Sequence, residues 1–320
     1  MNRQIIAVDV GGTQIRAALC DPEGVIHRRV AGLTAGHEGR EAVMGRIERA
    51  IRRVWPANAP VAAIGLVAPG PLDPWSGVVL DAPNIPGWKN YPLRAIIQER
   101  FDVPILVGND ANAAALAEQR FGAGQGEPNL IYITVSTGIG GGIIVNGELL
   151  LGAHGLAGEI GHIIVEPDGP RCGCGNYGCL ETLASGPSIA RQARQRICTA
   201  EPGRILELAQ GDPNAISAKI VNEAAQEGEP LAVDVFRQAG TYLGIGLVTL
   251  LHLFDPNIVV IGGSVSKAGD LLFEPVREVV RRRCMTDHYW RDTPIVPAAL
   301  GDDVGLLGAL ALVLSREGGA

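Results

Sequence analysis

The chain has almost no lysine. Of its 27 basic residues only Lys89, Lys219 and Lys267 are lysines. None lies in a G-x-x-x-x-G-K-[ST] loop, which excludes a P-loop NTPase, whose lysine reaches the terminal phosphates. Positive charge is also in the minority, with 34 acidic residues and a net charge of −7. The clustered basic surface of a nucleic-acid binder is therefore not expected. No apolar run reaches 18 residues, so nothing has the length of a membrane-spanning helix. The opening MNRQIIAVDVGGT has too short an apolar run for a signal-peptide core. No long polar tract occurs and 47% of residues are hydrophobic, which argues against disorder. The length, 320 residues, allows one large domain or two ordinary ones.

What is abundant is glycine, 43 residues without a three-residue period. Collagen is thus excluded, and the glycines need another explanation. Six cysteines are present, and Cys172, Cys174 and Cys179 fall within eight residues. In a chain without an export signal such a cluster points to a metal site more than to a disulfide framework. Cys20, Cys198 and Cys284 are scattered and read as buried small apolar residues. A cytoplasmic location is the expectation.

Hydrophobic periodicity predicts strands at 5–10, 14–20 and 25–30, a helix with Val43, Ile47, Ile51 and Val54 inward, and a strand at 61–69. A helix at 93–101, a strand at 104–108 and a helix at 111–122 follow. The second half repeats the plan. LIYITVSTGIGGGII (130–144) parallels IIAVDVGGTQIRAAL (5–19), and NIVVIGGSVS (257–266) parallels VAAIGLVAPG (61–70). Helices are expected at 187–198, 214–228, 231–254, 268–283 and 303–316, and a strand at 294–298. Two copies of one strand-hairpin unit imply two related lobes with a cleft between them, the usual place for a small ligand.

Several residues could serve that cleft. Asp9-Val10-Gly11-Gly12-Thr13 closes the first hairpin, and Thr137-Gly138-Ile139-Gly140-Gly141-Gly142 is the equivalent turn of the second half. Glycines let backbone N–H groups converge on an anion, and Asp9 could hold Mg²⁺ through water. One such turn is equally well an ordinary tight hairpin; a facing pair is harder to explain that way. Gly262-Gly263 adds a third, at a strand-to-helix junction suited to phosphate. Asn109-Asp110 stands between a strand and a helix. Asp110 there is either an N-cap or a general base taking a proton from a hydroxyl. The loop 82–88 is rigid and carries the amide Asn84. His162 with Cys172, Cys174 and Cys179 supplies a Cys₃His tetrahedron, a structural zinc set with no open position. Glu159 and Glu181 flank that knuckle.

Taken together, DVGGT, NDAN at 109–112, TGIGGG, the GxxGEIGH run at 155–162 and CGCGNYGCLE at 172–181 resemble the ROK family of sugar kinases and repressors over essentially the whole chain. The resemblance implies an α/β, actin-like ATPase fold: a duplicated ribonuclease-H-like, two-lobed structure with a zinc-binding insertion. It implies a small lobe at 1–120, with a C-terminal helix 303–320 packed back on it, a large lobe at 121–302, and a zinc knuckle at 162–179. It makes Asp110 the base that deprotonates a hexose 6-hydroxyl for attack on ATP. It carries sugar contacts to Asn84, Asn109, Asp110, Glu159, His162 and Glu181. Nucleotide contacts go to Asp9, Gly11, Gly12, Thr13, Thr137, Gly138, Gly262 and Gly263. His162 would bind zinc through one ring nitrogen and face the sugar with the other.

The implied cofactors are ATP, Mg²⁺ and structural Zn²⁺, and the implied partners a hexose and a second copy, as a homodimer or dimer of dimers. Glucose is the first choice of sugar, and the low aromatic content suits a polar sugar cleft. N-acetylmannosamine and N-acetylglucosamine kinases share nearly every motif. The different-class alternative, a non-catalytic sugar-sensing regulator, is disfavoured because the first strand begins near Ile5 with no helix-turn-helix before it.

Overall fold

A computed structural model describes residues 3–82, 85–197 and 203–316. In chain order the elements are β1 (Gln4–Val10), β2 (Gln14–Cys20), β3 (Ile26–Leu33), α1 (Arg40–Val54), β4 (Val61–Ala68), β5 (Leu72–Asp73), β6 (Val78–Asp81), β7 (Lys89–Tyr91), α2 (Leu93–Gln98), β8 (Ile105–Asn109) and α3 (Asp110–Phe121). Then come β9 (Leu130–Val135), β10 (Ile139–Val145), β11 (Glu148–Leu149), α4 (Leu180–Ala184), α5 (Gly186–Ile197), α6 (Arg204–Leu208), α7 (Ala218–Gln226), α8 (Pro230–Phe254), β12 (Ile258–Gly262), α9 (Asp270–Arg283), α10 (His288–Arg291), β13 (Ile295–Pro297) and α11 (Val304–Ser315).

The duplication seen in the sequence is a duplication of topology. One sheet runs β3-β2-β1-β4-β8 and the other β11-β10-β9-β12-β13. In each, two antiparallel hairpin strands are followed by strands parallel to the first. This is the actin-like, duplicated arrangement that the family resemblance implies. Both inner strands are apolar on both faces, as strands covered by helices on each side must be. On the first sheet, α1 buries Val43, Met44, Ile47, Ile51 and Val54, spaced to form one helical stripe.

The two sheets meet through α3 and α11. Ala113 and Ala117 of α3 join α11 against the first sheet, while Ala114, Ala115 and Leu116 pack on Tyr132, Ile144 and Val260 of the second. Small residues make this possible. A Cβ at Gly65 would come 2.0 Å from the Ala309 carbonyl oxygen, and one at Gly308 would come 2.9 Å from the Ala113 backbone. The alanine-rich stretch after Asp110 is thus the axle of the molecule, where backbone meets backbone.

Several boundaries differ from expectation. The predicted helix 214–228 begins only at Ala218, because Ser217 caps it through its hydroxyl and residues 213–215 form a separate 3₁₀ turn. The helix expected from 268 starts at Asp270, behind Gly269 with φ 63°. The helix at 93–101 stops at Gln98. A three-stranded sheet, β5-β6-β7, was not anticipated, since strands of two to four residues are too short for alternation to register. Among the described residues no helix is long and apolar enough to cross a membrane.

Candidate active site

The cleft between the sheets has a volume of about 350 Å³. Its floor is the junction of β8 and α3. Asn109 is the N-cap: its side-chain oxygen accepts from the N–H groups of Ala111 (2.9 Å) and Asn112 (3.1 Å). The capping role considered for Asp110 therefore belongs to its neighbour. Asp110 is the first helical residue, with its carboxylate open to the cleft and one oxygen accepting from Ala111 N–H at 2.8 Å. Although water reaches it, the cleft walls crowd it. This desolvation, opposed by the Ala111 hydrogen bond and reinforced by the negative charges of Asp9 and Glu159, raises its pKa from 3.8 to about 6.

The opposite wall comes from the second sheet. Ser136 N–H donates to Gly138 O (2.8 Å), turning the chain between β9 and β10. Glu181, in the first turn of α4, accepts from Ile139 N–H at 3.0 Å, and a Cβ on Gly138 would sit 2.5 Å from its Oε2. Glu159 and His162 arrive on the 3₁₀ turn Ile160–His162 and the residue before it. Asn109, Asp110, Glu159, His162, Glu181, Thr137 and Gly138 all line this one cleft. Asn84 lies outside the described residues.

The first hairpin differs from the expectation of a glycine-dependent turn. Gly11 N–H donates to Gln14 O at 2.9 Å, and neither Gly11 nor Gly12 adopts the positive φ that only glycine takes easily. Thr34, fully buried, braces the turn by donating through its hydroxyl to Gly11 O (2.6 Å) and through its N–H to Thr13 O (2.8 Å). Asp9 is buried and held by the guanidinium of Arg16, whose Nε donates to Oδ2 at 3.0 Å. The second glycine run also needs correction. Gly140, Gly141 and Gly142 are not in the turn but in β10, where Cβ atoms would meet Ala111, Ile160 and Ala115 at 3.0, 2.3 and 2.6 Å. Gly140 and Gly142 allow α3 to lie directly on the strand, and Gly141 admits Ile160 on the other face. Gly263, with φ 87°, presses on the end of β9, where its Cβ would be 2.3 Å from Val135 O. The Ser264 and Ser136 hydroxyls lie 3.1 Å apart, so this junction adjoins the Thr137 turn.

Below the cleft, one nitrogen or sulfur atom from each of His162, Cys172, Cys174 and Cys179 lies within 4.8 Å of every other. His162 Nδ1 is 3.7 Å from Cys172 Sγ, and Cys174 and Cys179 Sγ are 3.7 Å apart. Tetrahedral zinc with Zn–S bonds of about 2.3 Å puts neighbouring sulfurs about 3.8 Å apart, so the donor set fits that ion. Gly178 is indispensable to the knuckle: its φ is 65°, and a Cβ would overlap Glu166 O. Because Nδ1 faces the sulfurs, His162 has Nε2 left for the cleft.

The sequence profile of the ROK family matches residues 5–316. The chain belongs to the ROK family. It is 39% identical to a glucokinase of Streptomyces coelicolor, with 96% of each chain covered, and 37% identical to a glucokinase of Thermotoga maritima, with 99% of each covered. The crystal structure of a ROK family glucokinase from Streptomyces griseus in complex with glucose and AMPPNP is 40% identical, with a TM-score of 0.83, 98% of this chain covered and 99% of that one.

Three residues of this ROK chain that motif reading passed over also have defined places, one in the cleft and two at the start of α11. Arg16 holds Asp9 and also donates to the Asp302 carbonyl before α11. Glu118, fully buried, accepts from the N–H groups of Ala299 (3.1 Å) and Leu300 (3.0 Å), tying α3 to the loop that precedes α11. Asn112 lines the cleft, and its buried Oδ1 has no partner among the described residues. Motifs pass over these residues because Asp302, Ala299 and Leu300 are distant in sequence and the Asn112 amide oxygen has no partner to signal it.

Proposed function

We propose that this chain is an ATP-dependent hexose kinase that phosphorylates glucose on its 6-hydroxyl. The observation that carries this reading is Asp110. A carboxylate with a pKa near 6 stands on a helix N-terminus, across a narrow cleft from a glycine turn. Its ionised form accepts the 6-hydroxyl proton as the sugar oxygen attacks the γ-phosphorus. The O6–P bond forms, the bond from phosphorus to the ADP oxygen breaks, and ADP leaves. Phosphoryl transfer asks mainly for positioning and charge stabilisation. The names of the S. coelicolor and T. maritima relatives, and the glucose and AMPPNP in the S. griseus complex, favour glucose and ATP.

In this reading the sugar hydroxyls meet Asn109 through the amide nitrogen its cap leaves free, Glu159, His162 Nε2 and the second oxygen of Glu181. Asn84 completes the set by family resemblance. The phosphates rest on the turns Gly11–Thr13 and Thr137–Gly138, with Gly262 and Gly263 beside the nucleoside. Mg²⁺, when bound with the nucleotide, would draw charge from the transferring phosphoryl group; Asp9 Oδ1 would face it through water, since Arg16 occupies Oδ2. A structural zinc on His162, Cys172, Cys174 and Cys179 would hold Glu159, His162 and Glu181 in register. Residues 1–120 with the C-terminal helix would close against 121–302. Such an enzyme works in the cytoplasm, where ATP is plentiful.

The deciding experiment is ADP release, coupled to a dehydrogenase, with glucose, mannose, fructose, N-acetylglucosamine and N-acetylmannosamine. The highest kcat/KM is expected on glucose. A preference for an N-acetylhexosamine would move the assignment within the family, and inactivity on every sugar would overturn it.

A further inference from the structure

We propose that the groove between β3 and α1 is a docking site for an extended, acidic segment of a partner protein, which adds to the first sheet as a sixth strand. β3 is the edge of that sheet and pairs only with β2. Alternate residues of an edge strand turn their N–H and C=O groups outward, a template for another strand. Proteins usually blunt such edges. The second sheet does so by brevity, ending on β11 and β13, two and three residues long. β3 has eight residues. Its first half carries Arg28 and Arg29, but the second, Val30-Ala31-Gly32-Leu33, has neither charge nor proline, and Leu33 is 70% exposed.

That unguarded half faces a groove of about 450 Å³. Ile15, Val30, Leu33 and Ala50 line it, and Arg46, Arg49 and Arg53 of α1 stand along it. The spacing of three and four residues puts the three arginines on one helix face. Arg46 is paired with Glu38. Arg49 and Arg53 are exposed and have no acidic partner among the described residues. Two unpaired cations beside an apolar groove, in a chain of net charge −7, select an acidic occupant. A strand adjoining a helix is the geometry of strand addition: backbone hydrogen bonds supply affinity, and alternate side chains enter the groove. The segment this site takes has apolar residues at every second position and acidic residues at its ends.

The test uses the full chain and a short dye-labelled peptide with an alternating valine–threonine centre and paired glutamates at both ends. Saturable binding by fluorescence anisotropy is expected, weakened about tenfold when the glutamates are exchanged for lysines. The double variant Arg49→Glu, Arg53→Glu should lose about tenfold in peptide affinity while keeping its melting temperature and its ADP release with glucose. Bound peptide should slow hydrogen exchange within 26–33. Absence of saturable binding, binding indifferent to the charge reversal, or protection confined to α1 would each overturn the proposal. Displacement by inorganic polyphosphate without protection of β3 would make the groove a polyanion site and overturn it equally.

Discussion

The first and second glycine turns occupy equivalent places in the two sheets, yet their glycines do different work. Gly11 and Gly12 sit at the outer end of a hairpin, with φ values open to any residue and with Thr34 supplying the brace. Gly140, Gly141 and Gly142 lie inside β10, pressed against Ala111, Ile160 and Ala115. The first run closes a solvent-facing hairpin turn; the second lets a strand, a helix and the Ile160 turn come together. The lesson is that a glycine run marks close approach without saying what approaches. In the second sheet the body that approaches Gly140 and Gly142 is α3, the helix that begins with Asp110, so close packing there fixes where that carboxylate stands.

Substitutions can break this comparison. The largest effect is expected where the packed helix delivers its carboxylate. Asp110→Asn should lower kcat by about 10²–10⁴ while glucose binding, followed by calorimetry, stays measurable. Near-normal turnover would remove Asp110 from the reaction. The same carboxylate sets the pH profile. A base must be ionised, and its ionised fraction falls as pH drops through the raised pKa of about 6. So kcat/KM should be flat above about pH 7 and fall about tenfold per unit below 6. An acidic limb centred near the ordinary carboxylate value of about 4 would mean that the cleft does not crowd Asp110 as described.

Gly142→Ala tests the packed run. Its Cβ would lie 2.6 Å from Ala115 Cβ and 3.1 Å from Ala111 O. Overpacking against backbone should cost about 1–3 kcal/mol in chemical denaturation. Gly12→Ala, on the open run, should change stability by less than about 0.5 kcal/mol and instead raise KM for ATP. If Gly12→Ala proved the more destabilising of the two, the contrast would be inverted.

Much of this was legible before any coordinates. The duplicated topology shows as two matching stretches, because burial on both faces forces the same apolar runs in both sheets. The cysteine knuckle is local, Cys172 to Cys179, so spacing reveals it; only the structure shows that the ring nitrogen of His162 nearest the sulfurs is Nδ1. The glycines at 140–142 read as a turn because glycine is a turn former, whereas in β10 they serve strand–helix closeness that no local pattern records. The division of labour at 109–110 was equally hidden, since Asn and Asp both cap helices well and only the backbone shows which one does.

Asp110 as the base rests on the family resemblance, but the order of residues by itself determined the α/β class, the duplication, the cysteine–histidine cluster and the motifs of the ROK family. Those follow from periodicity and from chemistry carried within short stretches. Tertiary structure decided that Asn109 rather than Asp110 caps α3, that crowding by the cleft walls raises the pKa of Asp110, that Arg16 and Glu118 hold the loop before α11, and that β3 ends in an unguarded edge. The cap is a local choice that only the backbone reveals; the others depend on partners distant in sequence, on dielectric surroundings or on an unpaired neighbour, and such quantities exist only once the chain has closed on itself.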